Sequence, residues 1–329
     1  MKLLISFFAL SFLVVSCEKE EKPVSLLPKS SEAKLMEVVM GEKYGNQVFL
    51  NLGTGQTTTV DNFCWDLSFD ASPNGFAIYQ NSGKDILIAN TGQTDFKAYT
   101  EMPKMPFKWD AASGKYDSIA LKNCFKVDGL AFEHVFVLNK GAGKESFQFK
   151  LVHVTNTEYV LAFSNMENSF TKRVVIGKDH SKSMVYFSFD NGGTYFNFEP
   201  PKTDWHLCFL RYRWIYYEFN PPLRYIVSGV FINNALVSTA VDSALAFADL
   251  HKINASSMPF HSRRDIIGFD WKSPDLGNLA NVKYTVRSYL NFVVKENNPT
   301  QRMFKLRFLD FYSRSGVKGT PQLEVQELN

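Results

Sequence analysis

The chain has 329 residues, 45% of them hydrophobic, with 30 Phe and 14 Tyr against only 13 Pro. That length suits two folded domains, and the aromatic richness favours strands over helices. The net charge is +3 with both signs spread along the chain, and no basic block or basic helix occurs, so nucleic acid is excluded as a partner class.

Lys2 followed by the apolar run Leu3 to Val15 has signal-peptide length and is too short for a good membrane span. The run closes on Val14-Val15-Ser16-Cys17, which resembles a bacterial lipobox. In that reading residues 1–16 are removed, the Cys17 thiol is diacylated (palmitate-type chains), and the protein is anchored in a membrane by lipid. Loss of Lys2 leaves a net charge of about +2. Glu18-Lys19-Glu20-Glu21-Lys22 resembles the acidic signal that exports Bacteroidetes lipoproteins to the outer face of the outer membrane. Residues 17–35, with Pro23, Pro28 and several Ser, read as a lipidated tether. Beyond Cys17 the cysteines are Cys64, Cys124 and Cys208. The odd number leaves at least one thiol unpaired, a Cys64–Cys124 bridge stays open, and no metal-like cysteine spacing exists.

Four blocks recur in one order. Val48-Phe49-Leu50-Asn51-Leu52-Gly53 matches Val185-Tyr186-Phe187-Ser188-Phe189-Asp190, and Trp65-Asp66-Leu67-Ser68-Phe69 matches Trp205-His206-Leu207-Cys208-Phe209. Val135 to Lys140 matches Leu290 to Lys295, and Phe149-Lys150-Leu151 matches Phe304-Lys305-Leu306. This predicts two tandem related antiparallel β-sheet domains, 36–172 and 180–329, punctuated by Gly and Asn turns. In the Trp-led strand, alternation puts Trp65, Leu67 and Phe69 on one face, with Asp66 and Ser68 on the other. Leu236 to Lys252, rich in Ala and free of Gly and Pro, reads as a short helix or irregular excursion without a counterpart in the first half.

The lipobox, the W-D-L-x-F strand, its echo Asp204 to Tyr212, and the ending Phe304 to Tyr312 with Gly316-Val317-Lys318-Gly319, Pro321 and Leu323-Glu324-Val325 together resemble the HmuY-type haem-binding lipoproteins. The resemblance is best over residues 183–329, with the first half a diverged second copy. It implies an all-β fold and a surface lipoprotein that captures haem or a related porphyrin. The family then hands it to a TonB-dependent outer-membrane receptor. Haem in that family sits between two axial His or Met side chains on loops beyond the Trp-led strand. This chain departs from the pattern twice: Gly268 to Pro274 holds no His or Met, and His206 stands where the family usually has an acid. The resemblance therefore points to His251, Met258 and His261 as iron donors, in HKINASSMPFHSRR, with Arg263 and Arg264 for the propionates. Each also has a plain reading: a helix-end histidine, a core plug and a loop histidine. His134, His153 and His180 read as structural or exposed.

No GxSxG, HExxH or phosphate-binding glycine loop occurs, and no paired carboxylates are arguable from sequence, so the reading is not an enzyme. The alternative is an interaction or glycan-binding scaffold, with Trp109, Trp214, Tyr216 and Tyr217 as stacking platforms.

Overall fold

The computed structural model describes residues 32–275 and 282–329. The expected signal peptide, Cys17 and most of the tether lie outside the described residues. The first nine strands are β1 (Lys34–Glu37), β2 (Asn46–Leu50), β3 (Thr57–Asp61), β4 (Leu67–Asp70), β5 (Ile78–Gln80), β6 (Leu87–Asn90), β7 (Val135–Asn139), β8 (Phe147–Val154) and β9 (Glu158–Asn165). Next come β10 (Lys172–Gly177), β11 (Met184–Ser188), β12 (Thr194–Phe196), β13 (Leu207–Tyr216), β14 (Leu223–Ile232) and β15 (Val237–Asp242). After a one-turn helix α1 (Lys252–Ala255), β16 (Lys272–Asp275), β17 (Lys283–Val286), β18 (Asn291–Glu296), β19 (Met303–Tyr312) and β20 (Lys318–Glu327) complete the chain. The fold is all-β, and every ladder is antiparallel.

Eighteen of these strands form two sandwiches, each pairing a four-stranded with a five-stranded sheet, and β16 and β17 pair as a separate ribbon. In the first, the sheet β12-β11-β4-β5 faces β10-β9-β8-β7-β6. Its core comes from alternate residues of each strand: Leu67 and Phe69 of β4, Phe147 and Phe149 of β8, Leu161 and Phe163 of β9, Val185 and Phe187 of β11. The second packs β14-β13-β2-β3 on β1-β20-β19-β18-β15 around Leu50, Leu207, Phe209, Phe304, Leu306, Phe308 and Leu323. Along β19, Phe304, Leu306 and Phe308 point inward while Lys305 and Arg307 alternate with them, the two-residue period of a half-buried strand.

The expected boundaries, 36–172 and 180–329, differ from this partition. The first sandwich takes β4 to β12, and the second takes β13 to β20 together with β1, β2 and β3. The repeated blocks do meet the Trp-led strands, but each meets the strand of the other copy. β11 pairs with β4 through Phe187 opposite Leu67, and β2 pairs with β13 through Leu50 opposite Leu207. The two registers are equivalent. Pairing follows the inward apolar set, which both copies share, so sequence similarity alone does not say which copy a strand completes.

Two further expectations are corrected. Trp65 and Trp205 do not share a face with Leu67 and Leu207. Each precedes its strand and turns to the opposite side, where Trp65 meets Tyr186 edge-on at 5.0 Å and Trp205 meets Phe49 edge-on at 5.0 Å. Leu236 to Lys252 is mostly not helical: Val237-Ser238-Thr239-Ala240-Val241, with β-branched Val237, Thr239 and Val241 at alternate places, makes β15, then a 3-10 turn covers Phe247–Asp249. Its crossover has a counterpart, residues 91–134 between β6 and β7, at the same place in the first sandwich.

The outer faces of the two four-stranded sheets join the sandwiches. Phe49, Trp205, Cys208, Leu210 and Tyr212 pack there with Ala112 of the 91–134 crossover. Asn62 donates its amide to Arg211 O at 3.3 Å, and Arg213 binds Asp85 Oδ1 and Ile86 O at 2.8 Å each. Gly83 lies so close that a Cβ would meet Arg211 O at 2.4 Å. Cys64, Cys124 and Cys208 are all free thiols, so the Cys64–Cys124 bridge is not formed.

Candidate functional site

The expected iron donors lie on the segment after β15, which crosses the outside of the five-stranded sheet of the second sandwich. Asp242 starts it by accepting from Leu245 N at 3.0 Å, and Asn291 donates to Leu245 O at 2.8 Å. Phe247 is buried, with Lys305 and Arg307 over its ring at 4.6 and 4.7 Å, and its carbonyl accepts from Lys305 Nζ at 2.7 Å. Leu250 and Ala255 are buried against Ala240, Val293, Met303 and Leu328. These staples hold the short segment flat on the sheet.

His251 caps α1, its N–H donating to Asn254 Oδ1 at 2.8 Å, and its exposed side chain lines an open cleft of about 330 Å³ with Lys305, Gln326 and Glu32. Met258 and Phe260 are partly buried on the Ala240–Leu250 cluster, the core-plug role. His261 adds to the free edge of β15 by a reciprocal backbone pair with Thr239, at 2.9 and 3.0 Å. From that edge to β19, beside His251, is two strand spacings, on the order of 10 Å. His251 thus lies beside Lys305 of β19, and His261 beside Thr239 of β15. Arg263 is exposed and pairs with Asp265 at 2.6 Å. Arg264 is committed to the contact between sandwiches: its Nε donates to Ala112 O at 2.8 Å, and its guanidinium lies 4.8 Å from both the Tyr79 and Phe231 rings. Among the described residues no cluster of three or more His, Cys, Asp or Glu side chains could hold a metal ion.

His206 is closed to ligation. Its Nδ1 accepts from Leu52 N at 3.1 Å and its Nε2 bonds Glu296 Oε1 at 3.0 Å, so both ring nitrogens are used. With Nδ1 an acceptor, the proton is assigned to Nε2. Burial lowers the imidazole pKa, and the Glu296 hydrogen bond opposes that shift. For Glu296 burial raises the carboxyl, but bonds from His206, Thr300 and Asn298 outweigh it and hold it below its ordinary value.

Two apolar features stand apart from the donor segment. One is the β13–β14 hairpin tip, which gathers Trp109, Trp214, Tyr216 and Tyr217, the stacking platforms expected from sequence. Tyr217, Phe219, Leu223 and Tyr225 are exposed there, Tyr216 packs on Phe219 and Tyr225, Trp214 lies edge-on to Phe269, and Trp109 lies under Arg224. The other is a cleft of about 580 Å³ at the end of the first sandwich, between the β4–β5 turn, the β8–β9 turn and the 91–134 crossover. The signal for it was Val127, an apolar residue in the turn Lys126-Val127-Asp128-Gly129.

No protein-family model and no curated protein sequence matches the chain. Among solved structures, the chain is similar to the apo HmuY analogue of Tannerella forsythia, at 11% identity and a TM-score of 0.25, covering 93% of this chain and 99% of that one. It is also similar to apo PinO from Porphyromonas gingivitis, at 9% identity and a TM-score of 0.24, covering 91% and 99%.

Proposed function

We propose that this protein is a non-catalytic surface lipoprotein, anchored through Cys17 in the outer membrane and facing the exterior, that binds haem or a related porphyrin for iron acquisition and passes it to a TonB-dependent receptor. The observation that carries this reading is in the sequence: the Trp-led strand, its echo and the last hairpin resemble the HmuY-type lipoproteins, and those residues are β4, β13, β19 and β20 of one all-β fold. His251, Met258 and His261 are the donor set of the proposal, with the exposed Arg263, paired to Asp265, to meet a propionate. Arg264 would first have to leave Ala112 and two aromatic rings. The segment from 243 to 263 that carries the donors holds a 3-10 turn and a one-turn helix, pinned to its sheet by Phe247, Leu250 and Ala255. Hemin titrated into the purified protein should shift the Soret band, and His251→Ala or His261→Ala should weaken or alter that spectrum. A flat titration with the intact protein removes the proposal.

A second reading, an interaction or glycan-binding scaffold, is favoured by the exposed aromatic tip of the β13–β14 hairpin. Tyr217→Ala combined with Tyr225→Ala should then abolish binding on a glycan array while leaving hemin titration unchanged. Array signals that survive both changes count against it.

A further inference from the structure

We propose that the cleft at the end of the first sandwich is a binding site for a flat, uncharged, largely apolar ring compound, separate from the His251 segment. Three backbone walls, each fixed by its own hydrogen bonds, make it. In the first, the β4–β5 turn, Gly75 N bonds Ser72 O at 3.0 Å. Lys178 Nζ reaches Gly75 O at 2.6 Å and Ser72 O at 3.2 Å, and Tyr159 Oη donates to Gly75 O at 3.0 Å. The second is a small hairpin of the crossover laid beside β8. Lys126 N bonds Leu130 O at 2.8 Å, Ala131 N bonds Val152 O at 2.9 Å, and Val154 N bonds Gly129 O at 2.9 Å. Gly129, at φ +82°, allows this approach: a Cβ there would meet Val154 O at 2.3 Å. The third is the β8–β9 turn, where Thr155 N bonds Glu158 O at 2.8 Å.

Walls fixed this way do not collapse onto their apolar side chains, so those side chains stay open to water. Phe76 is 45% exposed and lies edge-on to Tyr116 at 5.2 Å, and Val127 is fully exposed. Phe125 closes the floor against the sandwich core. Exposed apolar residues gathered round one concavity mark a binding site rather than scattered surface. The volume of about 580 Å³ falls in the small-molecule range, about 300–1,000 Å³. Paired rings and Val127 suit a flat apolar face. Lys126 and Asp128 cancel in charge at the rim, and Asn74, Asn123 and Asn156 add amides that hydrogen-bond an uncharged polar edge. No His, Met or Cys lines this cleft, so it offers no soft or imidazole donor to iron and does not depend on the haem proposal.

Nile red, a flat uncharged dye that brightens and shifts blue in apolar surroundings, is the probe. The intact protein should bind it saturably at one site. Phe76→Ala and Val127→Asp, both at exposed positions, should each weaken binding about tenfold, roughly the loss of one buried apolar contact. Phe219→Ala on the hairpin tip and His251→Ala should leave it unchanged, and thermal melts of all four variants should overlay the parent. The proposal is overturned by an unsaturable titration, by equal affinity in the two cleft variants, or by a loss that follows Phe219→Ala instead. Hemin binding that fails while the dye still binds one site counts against the haem proposal and leaves this cleft standing.

Discussion

The two sandwiches are built alike but carry different chemistry at the same place. After Trp65 the first has Asp66, whose buried carboxylate takes Lys84 and Lys140 as ion partners, Lys140 at 2.9 Å, and accepts from Phe189 N at 2.8 Å. After Trp205 the second has His206, which accepts from Leu52 N, the counterpart of Phe189, and bonds Glu296 at the end of β18, where the first sandwich has Lys140 after β7. Acid against base has become imidazole against acid. The backbone N–H of the exchanged hairpin is satisfied in both, so the hydrogen bond is the shared requirement and the sign of the charge is not. This gives a physical place to His206, which departs from the acid expected of the Trp-led motif. The imidazole is matched across the sheet by Glu296, and neither ring nitrogen is left for a metal.

The largest effect should come from splitting the sandwiches by their strands. Removing residues 32–62 takes β1, β2 and β3 from the second sandwich and nothing from the core of the first. Hydrogen exchange should show β19 amides losing protection while β8 amides keep theirs. Equal loss in both strands would mean that the two units fold as one and that the exchanged strands are no boundary. Next in size is Asp66→Ala, which leaves two buried lysines without their anion. Urea unfolding should show a loss of about 3–5 kcal/mol, the usual cost of breaking a buried pair from one side. A loss below about 1 kcal/mol would show that water or Asp190, 2.6 Å from Lys140, replaces it.

Much of this architecture was legible in the sequence. Alternation identified the strands, and the repeated blocks marked strands that hold matching places, since inward residues such as Phe149 and Phe304 must recur wherever the same sheet is built. The exchange of β1–β3 was not legible. Leu50 and Phe187 present the same apolar face to either Trp-led strand, and only the three-dimensional path of the chain chooses. Alternation also failed at Trp65 and Trp205, because it holds only inside a ladder and both residues stand before one. For the site, donor chemistry was visible as residue types in HKINASSMPFHSRR, but their separation was not. Closeness in sequence says little when a segment runs across several strands, as His251 beside β19 and His261 beside β15 illustrate. The cleft walls come from residues 73–76, 116–129 and 154–156, too dispersed to form a motif.

A third test addresses the contact between the sandwiches. Glu199, in the link from β12 to β13, is buried and accepts from Tyr186 Oη at 2.6 Å and Ser183 N at 2.8 Å. Burial raises its pKa from 4.5 to about 7, against the pull of those bonds. A carboxyl raised by folding stabilises the protonated fold. Its contribution is full below pH 4.5 and is lost as pH rises through about 7. The loss is about 3 kcal/mol from the size of that shift. Glu199→Gln should flatten this limb of the stability–pH curve in calorimetry. An unchanged slope would place the carboxyl's titration at its ordinary value.

The smallest expected effect is the one that most directly tests this difference between the sandwiches. His206 is held neutral by burial, so its folded pKa lies below the ordinary 6.5. The unfolded chain then binds more protons as pH falls below 6.5, and the second sandwich loses stability in acid while the first gains nothing from this group. Glu296 adds a separate acid loss that starts lower, below its ordinary 4.5, because its folded pKa is depressed. Between those two values His206 lowers stability toward acid, against the opposite slopes of Glu199 and of the buried, raised carboxyls Asp110 and Asp265. His206→Gln keeps a hydrogen-bonding side chain but does not titrate. It should remove the loss seen by exchange in β13 and β18 between about pH 6.5 and 5, with β4 and β7 unaffected. Should the variant follow the parent through that window, the imidazole is charged in the fold. The second relay would then be an ion pair with Glu296, a reversed copy of Asp66 with Lys140 in charge as well as in position.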